Sequence, residues 1–196
     1  NVGYATAEAL RVNFVGELGW ELHHPIEMQN YIFDKLMEAG AEFDIKPFGI
    51  RAMDSMRLEK SYRLIPREMS IEYSAFESGL DRFVRLDKEE DFIGKTALSQ
   101  WQDTGPTNGF VTMEVLGIVD ADARGSEAIY KDGEVVGRAT SGGYGWRCGK
   151  SLALGLVRLE LAAIGTELEI EILGEKYKAI VIEESPFDPN NECLRS

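Results

Sequence analysis

From residue 110 onward the chain is written in short runs of alternating apolar and polar residues, each ended by residues that turn the backbone. Glu167, Glu169 and Glu171 alternate with Leu168, Ile170 and Ile172, which gives one wet face and one buried face. By the same test residues 110–115, 128–131, 134–139, 151–159, 167–173 and 176–182 read as strands. Asp132-Gly133 and Gly174-Glu175 suit tight hairpin connections. Regular strands this short predict a small antiparallel β-barrel or sandwich.

The first half is organised differently. Leu10, Val12 and Phe14 alternate with Arg11 and Asn13, and Trp20, Leu22 and His24 alternate with Glu21 and His23. Gly16-Glu17-Leu18-Gly19 lies between them with two residues able to adopt positive φ, so the stretch predicts a hairpin. Glu21 then points away from the face of Trp20 and Leu22, either into solvent or into a site. Pro25 before and Gly40 after residues 27–39 punctuate a helix whose stripe of Met28, Tyr31, Ile32 and Leu36 is expected in the core. A second helix, 48–60, places Arg51 with Asp54, Asp54 with Arg57, and Glu59 with Arg63 at distances where ion pairs form. Those pairs are either weak surface contacts or leave Arg51 or Arg57 to clamp a carboxylate. Residues 64–78 read as a loop, 79–86 as a strand with Leu80, Val84 and Leu86 on one face, and 96–102 as a short helix. The turn-rich 103–109 is the expected boundary between residues 1–104 and a second domain, 105–196. The tail from residue 185 is expected to be surface-bound or frayed.

A chain of 196 residues, 44% hydrophobic and 28% charged, can bury a good core. Its net charge of -13 argues against duplex nucleic acid and anionic membrane as partners. No apolar run is long enough to span a bilayer. Two cysteines, Cys148 and Cys193, do not make a disulfide framework, and a reducing, cytoplasmic compartment is expected. The start at Asn1 without Met suggests either a piece of a longer polypeptide or a processed N-terminus.

Several tempting motifs fail on chemistry. Gly149-Lys150-Ser151 has Tyr144 where a phosphate-binding loop needs its first glycine, and it leads into a strand rather than a helix. The glycines at 142, 143, 145 and 149 are expected to form a flexible loop carrying Tyr144 and Trp146. His23 and His24 are neighbours on a strand, face opposite ways and cannot share a metal. No Gly-x-Ser-x-Gly elbow occurs. Patterning alone therefore reaches an α+β domain followed by a β-barrel, without naming a reaction.

Five stretches, in order, resemble the glycine-cleavage T-protein (aminomethyltransferase) superfamily. They are Phe14-Val15-Gly16-Glu17-Leu18-Gly19-Trp20-Glu21, the helix Gly49-Ile50-Arg51-Ala52-Met53-Asp54-Ser55-Met56-Arg57-Leu58-Glu59-Lys60, Asp91-Phe92-Ile93-Gly94-Lys95, Thr140-Ser141-Gly142-Gly143 and Pro186-Phe187. The Arg57-Leu58-Glu59-Lys60 ending and Phe83-Val84-Arg85-Leu86-Asp87-Lys88 look most like the C-terminal folate-binding region of dimethylglycine and sarcosine dehydrogenases.

The resemblance implies part of an antiparallel-sheet folate-binding domain followed by a C-terminal β-barrel. It implies a tetrahydrofolate site in which Glu21 holds the pterin ring, as a carboxylate accepting two hydrogen bonds can. Phe14, standing where the family usually has Tyr, would pack beside the ring. Met53 replaces the family's arginine, and Arg51 or Arg57 is the expected substitute. Tyr144 is a further expected contact. The family's catalytic aspartate, and in the dehydrogenases an FAD-containing half, would lie upstream, so the fragment alone is expected to be inactive. The implied reaction transfers a one-carbon unit from a small methylated amine or aminomethyl donor to tetrahydrofolate, forming 5,10-methylenetetrahydrofolate. A stand-alone aminomethyltransferase and a non-catalytic folate-binding module are the competing readings.

Overall fold

In the computed structural model, which describes residues 1–195, the second half closes into a barrel. Its strands are β3 (Asn108–Val115), β4 (Ala128–Lys131), β5 (Glu134–Gly145), β6 (Lys150–Arg158), β7 (Glu167–Ile172) and β8 (Glu175–Ile182). They close in the order β3-β6-β5-β4-β7-β8 with every neighbouring pair antiparallel. Closure leaves no unpaired edge, which resolves the barrel-or-sandwich choice. Leu168, Ile170 and Ile172 face inward beside Val111, Met113, Ile129, Val157 and Val181, as the glutamate alternation requires. The β4–β5 turn is Asp132-Gly133, both at positive φ, whereas the β7–β8 turn is Leu173-Gly174, one residue earlier than expected.

Leu152 to Val157 in β6 is buried without alternation because both of its faces are covered. Ala153 and Val157 point into the barrel; Leu152 and Leu154 point outward and pack on Leu58. That leucine ends α2 (Ile50–Leu58), the helix through which the first half docks on the barrel.

The predicted flexible glycine loop is in fact the last third of β5. Its glycines serve close approach. A Cβ on Gly142 would meet the carbonyl oxygen of Ala123 at 2.7 Å, one on Gly143 would meet Leu58 at 3.1 Å, and one on Gly145 would meet Glu59 at 2.9 Å. Only Trp146 to Gly149 is turn, with Gly149 at φ 65°.

The first half holds β1 (Glu8–Leu10), β2 (Glu21–His23), α1 (Gln29–Gly40), α2 and α3 (Lys95–Thr104). Residues 79–86 do not form a strand: they contain a 3-10 turn at Asp81–Phe83 with Phe83 largely exposed. The apolar stripe of α1 is a second correction. Ile32 is buried, but Leu36 is 39% exposed, and Tyr31 stacks on Tyr4 rather than entering a core. Among the described residues no strand or other α-helix packs extensively over α1, so the Leu36 part of its stripe stays open. Among the described residues no helix is long and apolar enough to cross a membrane.

The tail is anchored. The Lys60 ammonium donates to the carbonyls of Phe187 (3.1 Å) and Asp188 (2.6 Å) and to Asn191 Oδ1 (2.9 Å), and the Phe187 amide donates to the Glu59 carbonyl. A short helix α4, Glu192–Arg195, follows; Ser196 lies outside the described residues.

Candidate functional site

The hairpin is shorter than its alternation suggests. Only Glu8–Leu10 and Glu21–His23 pair, with Leu10 opposite Glu21, and residues 11–20 form a loop. The loop finds other hydrogen-bond partners. Asn13 Oδ1 accepts from the Gly16 amide at 3.2 Å, and the Val15 carbonyl accepts from Arg147 at 2.9 Å. Gly16 (φ 76°) sits against the aliphatic stem of Lys60, where a Cβ would come within 2.6 Å. Gly19 lies at ordinary φ but against the Val12 carbonyl, 2.8 Å from where its Cβ would be.

Arg147, in the β5–β6 turn, ties this loop to the barrel. Its Nε pairs with Glu59, Nη1 donates to Glu17 Oε1 at 2.9 Å, and Nη2 reaches the carbonyls of Val15 and Met56. Its guanidinium lies 3.7 Å over the Phe187 ring. A planar five-donor fork is the group able to satisfy so many acceptors at once. Glu59 is 1% exposed and also accepts the amides of Arg147 (2.6 Å) and Cys148 (3.2 Å). Hairpin loop, α2, barrel turn and closing segment thus meet at one buried ion pair.

The run from Arg57 to Arg63 is therefore no surface helix face. Of the expected pairs only Asp54 with Arg57 forms, at 2.6 Å. Arg57 is fully buried, donates to the Tyr62 carbonyl at 3.1 Å and lies 3.8 Å from Glu68. Its Nη2 has no hydrogen-bond partner among the described residues. Arg57 does clamp carboxylates, and those it pairs with here are Asp54 and Glu68 of its own chain. Glu68 in turn accepts from Thr140 and Ser141, so the Thr140-Ser141-Gly142-Gly143 stretch is bound into the same buried network. Arg63 pairs with Glu184 and lies 3.8 Å over Phe110. Burial pushes the Lys60 ammonium below its ordinary range, helped by nearby Arg147.

The other expected site residues are scattered round this junction. Glu21 is exposed on the β2 edge; its Oε2 lies 3.2 Å from His23, and Oε1 has no partner among the described residues. Phe14 stacks on Tyr62, centroids 6.1 Å apart, and Tyr62 is the residue whose carbonyl Arg57 holds. Arg51 is exposed at the start of α2. Tyr144 presents a half-open ring edge-on to Trp146, and its carbonyl accepts from Ser55 at 2.6 Å. No hydrogen bond, ion pair or ring contact joins Glu21 to Phe14, Arg51, Arg57 or Tyr144 among the described residues. Sequence reasoning missed Arg147 and Glu68, and it paired Glu59 with Arg63 where the structure pairs it with Arg147. Their signal was the density of charge in Arg57-Leu58-Glu59-Lys60, too high for a helix end that packs on apolar β6.

No group of His, Cys, Asp and Glu among the described residues is arranged to hold a metal. Burial, reinforced by Glu59, pushes the Cys148 thiol up, away from nucleophilic thiolate.

The arrangement is thus a hairpin arm locked by buried charge onto a closed barrel, with a half-free carboxylate on the arm. Residues 1–88 match the family described as GCVT N-terminal domain, and residues 109–188 match the glycine cleavage T-protein C-terminal barrel domain. The chain is 42% identical to mitochondrial dimethylglycine dehydrogenase of Homo sapiens over 90% of this chain and 20% of that protein. It is 36% identical to 4-methylaminobutanoate oxidase (formaldehyde-forming) of Paenarthrobacter nicotinovorans over 98% of this chain and 23% of that one. It is 35% identical to an aminomethyltransferase of Bacillus cytotoxicus, spanning 90% of this chain and 48% of its relative. The crystal structure of glycine cleavage system aminomethyltransferase T from Bartonella henselae shares the fold, with a TM-score of 0.81 at 24% identity over 92% of this chain and 49% of that one. The chain belongs to the glycine cleavage T-protein family, and it matches the C-terminal portion of the dehydrogenase and aminomethyltransferase relatives. It spans about a fifth of the dehydrogenases' length and about half of the aminomethyltransferases'.

Proposed function

We propose that this chain is the C-terminal part of a tetrahydrofolate-dependent one-carbon transfer enzyme of the dimethylglycine/sarcosine dehydrogenase type. The observation that favours this branch is the 42% identity to a dimethylglycine dehydrogenase over 90% of the chain, against 35% for an aminomethyltransferase over the same share. Tetrahydrofolate would supply the N5 amine that takes up a one-carbon unit and leaves as 5,10-methylenetetrahydrofolate.

The residues present suit that cosubstrate. Glu21 has a carboxylate oxygen without a partner and stands on a paired strand, so it can accept from the N–H groups of a pterin without disturbing the fold. Phe14 offers an aromatic face that is fixed by Tyr62. The loop between them is held by Arg147, which makes the hairpin a preorganised arm rather than a mobile flap. The chain's own contribution is to orient the pterin and to keep water from the reactive carbon. A flavin and the family's aspartate belong, in this reading, to an upstream region, and the donor is a small methylated amine.

The test is turnover of dimethylglycine and of sarcosine by the full-length protein, with and without tetrahydrofolate. Methylenetetrahydrofolate formation that depends on added tetrahydrofolate is expected. Equal release of free formaldehyde in both conditions would refute the reading. The isolated 196-residue chain is expected to turn over neither amine.

A further inference from the structure

Partway along β5, at Arg138 to Thr140, three arginines from separate parts of the chain line one cavity of about 240 Å³. Arg67 comes from the segment after α2, Arg124 from the β3–β4 connection and Arg138 from β5; Pro66, Gly125 and Thr140 complete the wall. A chain of net charge -13 has few cations to spare, so their convergence is a local reversal of its field.

The cations are only partly neutralised. Arg138 is engaged: its Nε donates to the Tyr73 hydroxyl at 2.9 Å and its Nη2 pairs with Glu72. Arg67 makes one long contact, 3.5 Å to Ser141 Oγ. The Arg124 side chain has no hydrogen bond or ion pair among the described residues. Glu127 is nearby, but its two oxygens are occupied by the amides of Arg124 and Gly125, each at 2.7 Å, which fixes the loop that presents Arg124. Three positive groups therefore stand near Glu72 and Glu127, both already committed, and near buried Glu68, which is taken up by Thr140 and Ser141; Arg67 and Arg124 keep most of their donors open.

We propose that this cavity binds a single oxyanion group, a phosphate or a carboxylate, carried by a small molecule. Planar guanidiniums recognise both through paired N–H donors. A volume of about 240 Å³ has room for such a head group. The site lies away from the β5–β6 turn that holds the hairpin: Thr140 in its wall and Gly145 are five strand residues apart, roughly 17 Å at strand rise. It does not rest on the folate reading.

The experiment is calorimetric titration of the full-length protein in phosphate-free, low-salt buffer, with inorganic phosphate in one arm and glutarate in the other. Saturable one-site binding of at least one probe is expected, and the tighter probe identifies the group. Arg67→Gln/Arg124→Gln should weaken it at least tenfold. Arg124→Gln alone, which removes no contact made within the fold, should weaken it at least threefold. Arg158→Gln, a surface cation outside the cavity, should leave it unchanged. Saturation by neither probe, or undiminished binding by the double variant, would overturn the proposal.

Discussion

The Glu59 carboxylate and the Arg147 guanidinium are paired across the junction where α2 meets the β5–β6 turn, with Glu59 1% exposed. Removing one partner of such a pair leaves a buried charge without its counterion. Arg147→Ala is therefore expected to cost about 3–5 kcal/mol of unfolding free energy. The apolar double replacement Glu59→Leu/Arg147→Met should recover much of that loss, because no uncompensated charge remains. Urea denaturation of the two variants checks the order: the double replacement should unfold at the higher concentration.

Gly142 and Gly149 separate packing from flexibility. A Cβ on Gly142 would stand 2.7 Å from a backbone oxygen that cannot turn aside, whereas one on Gly149 meets open space and only a positive φ. Gly149→Ala should cost about 1 kcal/mol. Gly142→Ala should lie at or above the upper end of the roughly 1–3 kcal/mol expected of overpacking. Thermal denaturation of both variants measures the difference, and a flexible-loop role would predict the reverse order.

Glu77 gives the fold a defined acid limb. Burial alone would raise its pKa, but hydrogen bonds from Ser74, Asn108 and Thr107 outweigh it and hold the carboxyl at about 2, against 4.5 for an ordinary glutamate. Because the folded value is the lower one, this contribution is complete above about pH 4.5 and is lost as pH falls through 2. Glu77→Gln should be less stable than wild type at pH 7, and the gap should narrow steadily between pH 4.5 and 2. Denaturation midpoints across that range provide the check; a gap independent of pH would contradict it.

The barrel was legible in the sequence because alternation reports a two-sided strand directly, with residues 167–172 the clearest case. Residues 140–145 misled because a glycine required for close approach looks the same, letter by letter, as one required for freedom. The charged run from Arg57 to Arg63 misled in the opposite sense. Its partners, Glu68, Arg147, Glu184 and the Phe187 carbonyl, lie up to 127 residues away along the chain. No local spacing rule can report such partners. The apolar stripe on α1 was visible, but periodicity does not say what covers a face. For Glu21 the sequence supplied the strand and its direction, and motif resemblance supplied the role.

That role is the centre of the account, and tetrahydrofolate affinity of the Glu21→Ala full-length protein tests it most directly. Glu21 is exposed and makes one contact, to His23, so the substitution should leave the fold intact. Loss of hydrogen bonds to a charged acceptor, about 1.5–3 kcal/mol, corresponds to a rise in Kd of roughly ten- to a hundredfold. The account predicts a rise in that range, with an unchanged melting temperature in the absence of folate. A Kd equal to that of the wild type would contradict it.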